Sequence, residues 1–142
     1  MVDISAKTEV AREAVASGRI YLRAETLRAI REGTTVKGNV LATARVAATL
    51  AVKETPRIIP MCHPIPLAGV TIDFEEGDGC LEATARVKSF GRTGVEMEAL
   101  TGVSVALLTV WDMVKSAEKD KNGQYPVTRI DAIRVLEKKK GG

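Results

Sequence analysis

The sequence predicts an α+β fold, a small antiparallel sheet with helices on one face, and three observations carry that expectation. Residues 70–90 read as two strands joined by a Gly77-Asp78-Gly79 turn, the pattern of a hairpin. A long apolar helix follows, from Ala99 to Lys119. One further strand is expected near each end of the chain, at 14–23 and 127–136.

Taken in order, Ala14 to Arg23 mixes small and β-branched residues and ends in Ile20-Tyr21-Leu22, which reads as a strand. Glu25 to Glu32 forms a short helix, with Leu27 and Ile30 three apart and Gly33 placed to stop it. Asn39 caps a second helix to Lys53, on which Val40, Ala44, Ala47 and Ala51 share a stripe. Pro56, Pro60, Pro64 and Pro66 then impose an extended loop from Thr55 to Gly69. Val70 to Phe74 alternates as a strand, and Cys80 to Phe90 returns beside it. Asn122-Gly123 breaks the long helix before the last strand, Val127 to Leu136. Strand, helices, strand, strand, helix, strand is the βαββαβ order of the ferredoxin-like fold, which by itself assigns no function. No linker, repeat or change of composition interrupts residues 1–142, so one domain is expected.

Composition narrows the classes of function. With 45% hydrophobic and 27% charged residues the 142-residue chain suits a globular core. No apolar run approaching ~20 residues is read, so no membrane span is expected. Met1 to Ser5 lacks the basic head and apolar stretch of a secretory signal, and two cysteines suit reduced thiols in the cytoplasm. One histidine and two cysteines are too few for an ordinary structural zinc site, so no metal is expected. Residues 115–142 carry eight basic and four acidic side chains, a bias suited to a phosphorylated small molecule. Aromatic residues are only 4%, too sparse for a nucleic-acid stacking surface.

Four constellations carry candidate chemistry. In the long helix, Leu100, Val103, Leu107, Trp111 and Val114 make one stripe, while Val105, Leu108, Val110 and Met113 lie off it. A helix apolar on more than one side asks for a second partner, here a neighbouring subunit or the helix at 39–53. Asp112 and Lys115 sit on this helix at i, i+3, either as a surface ion pair or as an acid–base pair beside an apolar surface. Gly91-Arg92-Thr93-Gly94 precedes Glu96 and Glu98, which read either as favourable charge at a helix start or as ligand contacts. Met61-Cys62-His63-Pro64 fixes the lone histidine between prolines, and Cys62 lacks the partners of a nucleophile. Lys37-Gly38-Asn39 stands before a helix N-terminus, where anions are favoured.

These segments together resemble one family, the cyclic pyranopterin monophosphate synthases of molybdenum cofactor biosynthesis. The matching residues are Met1 to Ser5, Lys37-Gly38, Thr43-Ala44-Arg45, Ile58 to Pro64, Arg92 to Thr101 and Leu108 to Lys115. The resemblance implies a lyase that converts 3′,8-cyclo-7,8-dihydro-GTP to cyclic pyranopterin monophosphate and releases pyrophosphate, without metal or redox cofactor. It implies Lys37, Asp112 and Lys115 as catalytic residues. It implies Met61, Cys62, His63, Met97 and Glu98 as substrate contacts, with Glu96, Asp3 and Arg12 lining the same pocket. It further implies a homohexamer, a trimer of dimers with sites at dimer interfaces, and neither nucleic-acid nor membrane partners. Lys37 is expected to reach Asp112 from the neighbouring chain.

Two features depart from the family pattern. Trp111 stands where Tyr is usual. The sequence stops at Lys138-Lys139-Lys140-Gly141-Gly142 where the pattern continues as Gly-Gly-Lys-Ser-Gly, so either the lysine run replaces a tail lysine or triphosphate binding is weaker. The competing expectation is an RNA-binding module of the same fold. It has the basic C-terminus in its favour, but the hairpin offers only Phe74 and Phe90 for stacking.

Overall fold

The computed structural model describes residues 1–141. The elements are β1 (Val10–Tyr21), α1 (Ala24–Glu32), α2 (Val40–Ile58), β2 (Leu67–Glu76), β3 (Cys80–Gly91), α3 (Glu96–Glu118) and β4 (Arg129–Lys140). The four strands form one antiparallel sheet in the order β2-β3-β1-β4, the βαββαβ topology expected. Ala14, Ala16 and Ile20 of β1 and Leu81, Ala83, Ala85 and Val87 of β3 point inward, where α2 and α3 cover them. The opposite face is charged. There Glu13 meets Arg86 at 2.9 Å and Lys139 at 3.7 Å, while Arg19 meets Glu82 at 3.2 Å.

Two glycines set how closely the layers approach. A Cβ on Gly18 of β1 would stand 2.9 Å from side-chain atoms of Val103, Leu107 and Ile133. A Cβ on Gly102 of α3 would stand 2.7 Å from Val52 Cγ2 of α2. The helices therefore sit against backbone, and the core is filled mainly by alanine and valine.

Several boundaries correct the sequence reading. The helix read as ending at Lys53 continues to Ile58 through Pro56. Pro56 lies in the last turn, where its missing N–H leaves only one carbonyl without its helical partner; Thr55 Oγ1 donates to the Ala51 carbonyl and Ile59 N–H closes the turn on Thr55. β1 starts at Val10, β2 runs from Leu67 to Glu76, and β4 extends to Lys140, because pairing with β1 and β3 orders residues of mixed polarity. α3 begins at Glu96, so Glu96 and Glu98 are its first turn, where acidic charge suits the helix dipole. Val110 and Met113, read as lying off the core stripe, are buried within it.

By length and composition α3 is apolar enough to cross a membrane, which overturns the reading that no apolar stretch approaches that length. Half of the stretch is buried against this chain's own sheet and α2, the placement of a core helix.

Two left-handed glycines, Gly33 (φ 71°) and Gly38 (φ 99°), bracket the loop from α1 to α2. Gly33 ends α1, donating to the Ile30 carbonyl, and Asn39 caps α2 by accepting from Ala42 N–H at 2.9 Å. Between them Val36 is 92% exposed. The loop is shaped by its backbone and presents Lys37 to α3.

Candidate active site

The expected site residues fall into two clusters at opposite ends of α3. Near its C-terminal end, one carboxylate bridges two ammonium groups. Lys115 Nζ lies 3.2 Å from Asp112 Oδ1, and Lys37 Nζ lies 3.5 Å from Asp112 Oδ2. Lys37 Nζ also donates to the Asp112 backbone carbonyl at 3.2 Å. This contact is made within one chain and corrects the expectation that Lys37 reaches Asp112 from a neighbour: the loop between the two glycines lies beside the end of α3. Lys115 first, then Lys37, holds the Asp112 carboxyl below the usual aspartate range. Asp112 therefore stays ionised and acts as an anchor for two cations.

At the N-terminal end, Glu98 is only 2% exposed. Burial pushes its carboxyl up to about 7, against the contact from Cys62 that favours ionisation. Cys62 Sγ lies 3.7 Å from Glu98 Oε2, while Glu98 Oε1 is buried without a partner among the described residues. Burial, with the Glu98 charge added, in turn raises the Cys62 thiol. Such an unmatched oxygen is ready to receive an N–H from a ligand.

The other expected residues lie about the Gly91–Thr93 segment and the first turn of α3. Glu96 folds over Gly94, where any Cβ would collide with its carboxylate, and pairs with Lys138 at 3.0 Å. His63 Nε2 is 2.7 Å from the Val2 carbonyl, and Met61 Sδ is 3.5 Å from the N-terminal ammonium. Asp3 accepts from Ser5 N–H, which holds its carboxyl low. Arg12 is buried on the inner face of β1 and donates through Nε to the Gly91 carbonyl at 3.3 Å, its other donors remaining for a ligand. Met97 points outward, 41% exposed. A groove of about 480 Å³ between residues 1–5, His63 to Pro66 and Gly91 to Thr93 opens beside this cluster.

Asp112 lies fourteen positions after Glu98, about 21 Å along a helix axis. One chain thus holds the ammonium pair and the buried carboxyl on one rod, too far apart to serve one small molecule together.

The model of the MoaC family matches residues 1–141. This chain belongs to the MoaC family. A relative from Methanoregula boonei is 80% identical over 141 residues, covering 99% of this chain and 91% of the relative. Another from Methanocorpusculum labreanum is 69% identical, covering 99% and 89%. One from Thermococcus kodakarensis is 63% identical, covering 99% and 90%. Each of the three is named "probable cyclic pyranopterin monophosphate synthase".

Two partners in this MoaC-family structure escape the sequence reading. Lys138 pairs with Glu96, although alternation along β4 puts Lys138 and Lys140 on the face opposite Lys139 and so carried the signal. Glu118 is fully buried at the end of α3. The signal there was the apolar stripe, since Leu107, Trp111 and Val114 lead at helical spacing to a charged residue.

Proposed function

We propose that this chain is a cyclic pyranopterin monophosphate synthase that converts 3′,8-cyclo-7,8-dihydro-GTP to cyclic pyranopterin monophosphate and pyrophosphate. The observation that carries the reading is the Lys37–Asp112–Lys115 cluster, one ionised carboxylate aligning two ammonium groups on the residues the family resemblance marks as catalytic. Rebuilding the purine ring moves protons at nitrogen, and Lys115, oriented by Asp112, supplies and recovers them. Closing the cyclic phosphate forms a new P–O bond to a sugar oxygen and breaks the bond to pyrophosphate. The charge that develops is met by fixed cations, Lys37 and the guanidinium of Arg12. Glu98, with its free buried oxygen, and Glu96 receive the N–H donors of the guanine-derived ring, while Met61, Cys62, His63, Met97 and Asp3 shape the pocket.

The 21 Å gap between the two clusters is closed, in this reading, by a second copy. A two-fold pairing with α3 antiparallel lays the Asp112 end of one chain against the Glu98 end of its partner, and yields two equal sites. Exposed apolar side chains on the outer face of the helices, Val46 and Leu50 of α2 and Leu108 of α3, favour burial there. The hexamer, a trimer of such dimers, and a place in the cytoplasm complete the proposal, with a small molecule as the only other partner. The test is incubation of the purified protein with the cyclised nucleotide, followed by assays of pterin and pyrophosphate. Equal amounts of both are expected, and unchanged nucleotide overturns the reading.

A further inference from the structure

We propose that Glu118 is the positioning residue of the Lys37–Asp112–Lys115 cluster, acting through a reciprocal cap that ties the end of α3 to the start of α1. The inference rests on the functional reading above for its kinetic consequence, and on geometry alone for the rest.

Glu118 is the last residue of α3 and lies one turn beyond Lys115. Its carboxylate is fully buried and fully used. Oε1 accepts from Thr128 Oγ1 at 2.7 Å, and Oε2 accepts from Arg23 N–H at 3.1 Å and from the Thr26 hydroxyl. Arg23 is the N-cap of α1 and offers no side-chain cap to its own helix, so Glu118 fills that role from another helix. Arg23 returns the service, its Nε donating to the Glu118 carbonyl at 3.3 Å, one of the free carbonyls at the end of α3.

The consequence reaches the site by two routes. The cap stops the last turn of α3, which carries Lys115, from fraying. It also fixes α1, and α1 leads through Gly33 into the short loop that delivers Lys37. α1 otherwise meets α3 sparingly. The charged groups that face Asp112 are Lys115 from its own helix and Lys37 from that loop. Loosening the cap therefore withdraws Lys37 from Asp112, and the carboxyl loses part of what keeps it ionised.

The experiment follows the Asp112 carboxyl by carbon-13 NMR across pH, assigned with Asp112→Asn, in the wild type, Glu118→Gln and Val52→Ala. Val52→Ala is a core truncation remote from the cap that controls for lost stability. In Glu118→Gln the titration is expected to move upward by about half a unit or more, and in Val52→Ala it stays put. With the cyclised nucleotide, Glu118→Gln is expected to lose about 10-fold or more in kcat with KM nearly unchanged, and the acid limb of its pH profile moves upward. Should Glu118→Gln fail to fold, Thr26→Val opens the same cap from α1, and Thr26→Ser, which keeps the hydroxyl, restores the wild-type titration. An Asp112 titration unchanged in the cap variants, or shifted equally in Val52→Ala, overturns the proposal. If the wild type does not turn over the nucleotide, the functional reading falls while the titration still decides the role of Glu118.

Discussion

Glu98 and Asp112 stand on the same helix about 21 Å apart, one buried with an unmatched oxygen and the other exposed between two lysines. If two chains complete each site, lesions at these two ends complement each other. Asp112→Asn and Glu98→Gln, each inactive alone, should regain up to about a quarter of wild-type activity when unfolded and refolded together. Lys37→Ala mixed with Asp112→Asn should regain nothing, because both residues belong to one cluster of one chain. Mixed assemblies verified by mass that stay inactive in the first pair would exclude a shared site.

Asp112→Asn is expected to lower kcat by about two orders of magnitude or more and to leave the melting temperature unchanged. Its side chain is 61% exposed and its ion pairs lie at the surface, where they add little to folding. Lys115→Ala should behave alike. A variant that melts early and still turns over would mark Asp112 as structural.

The pH dependence of stability should carry the mark of Glu98. Its carboxyl is raised from an ordinary 4.5 to about 7 in the folded chain. Between those values the unfolded chain ionises while the folded one keeps its proton, so stability falls as pH rises from about 4.5 to 7. Glu98→Gln removes that term. It should match the wild type near pH 4.5 and exceed it at pH 8 by an amount on the order of 1–3 kcal/mol, read from urea unfolding at the two pH values. A constant difference across pH would show that burial does not disfavour the charge.

Gly18→Ala and Gly102→Ala should separate in stability although both add one methyl. Overpacking costs about 1–3 kcal/mol for each close neighbour that cannot yield, against which alanine recovers roughly 0.5–1 kcal/mol of backbone entropy at either position. Gly18 lies in β1 against three side chains and Gly102 in α3 against one at short range. Gly18→Ala should therefore melt lower, as thermal denaturation followed by circular dichroism will tell.

A chelator should leave turnover unchanged, because Cys62 and His63 lie beside Gly91 at one end of β3 while Cys80 starts its other end, so the one histidine and two cysteines cannot meet at a zinc ion. Activity lost to the chelator and recovered with a divalent ion would reveal a metal requirement.

The order of elements was legible because hairpin, long helix and flanking strands each have a local pattern. Boundaries were not, where tertiary pairing outweighs local preference. Pro56 stays within the last turn of α2 at the loss of one helical hydrogen bond, and Lys138 to Lys140 become strand only beside β1. The candidate site residues were marked by long motifs, yet their arrangement was hidden. With α3 read as starting at Ala99, and Glu98 read as either helix-start charge or a ligand contact, its distance from Asp112 was not set. Placing it in the first turn fixes the two apart. The Lys37–Asp112 contact joins residues far apart in sequence through a loop whose path depends on two left-handed glycines.

That loop has a consequence for anyone who wishes to re-engineer the protein. Gly33 and Gly38 act as hinges of fixed angle, and between them Thr34 and Val36 are exposed, Val36 above all, while Thr35 donates to the Gly38 carbonyl and Lys37 meets Asp112. The lysine is thus mounted on an interchangeable part. A library randomised at positions 34 and 36 can vary the bulk and charge around it without disturbing the core, and offers directed evolution a way to retune the site from outside it.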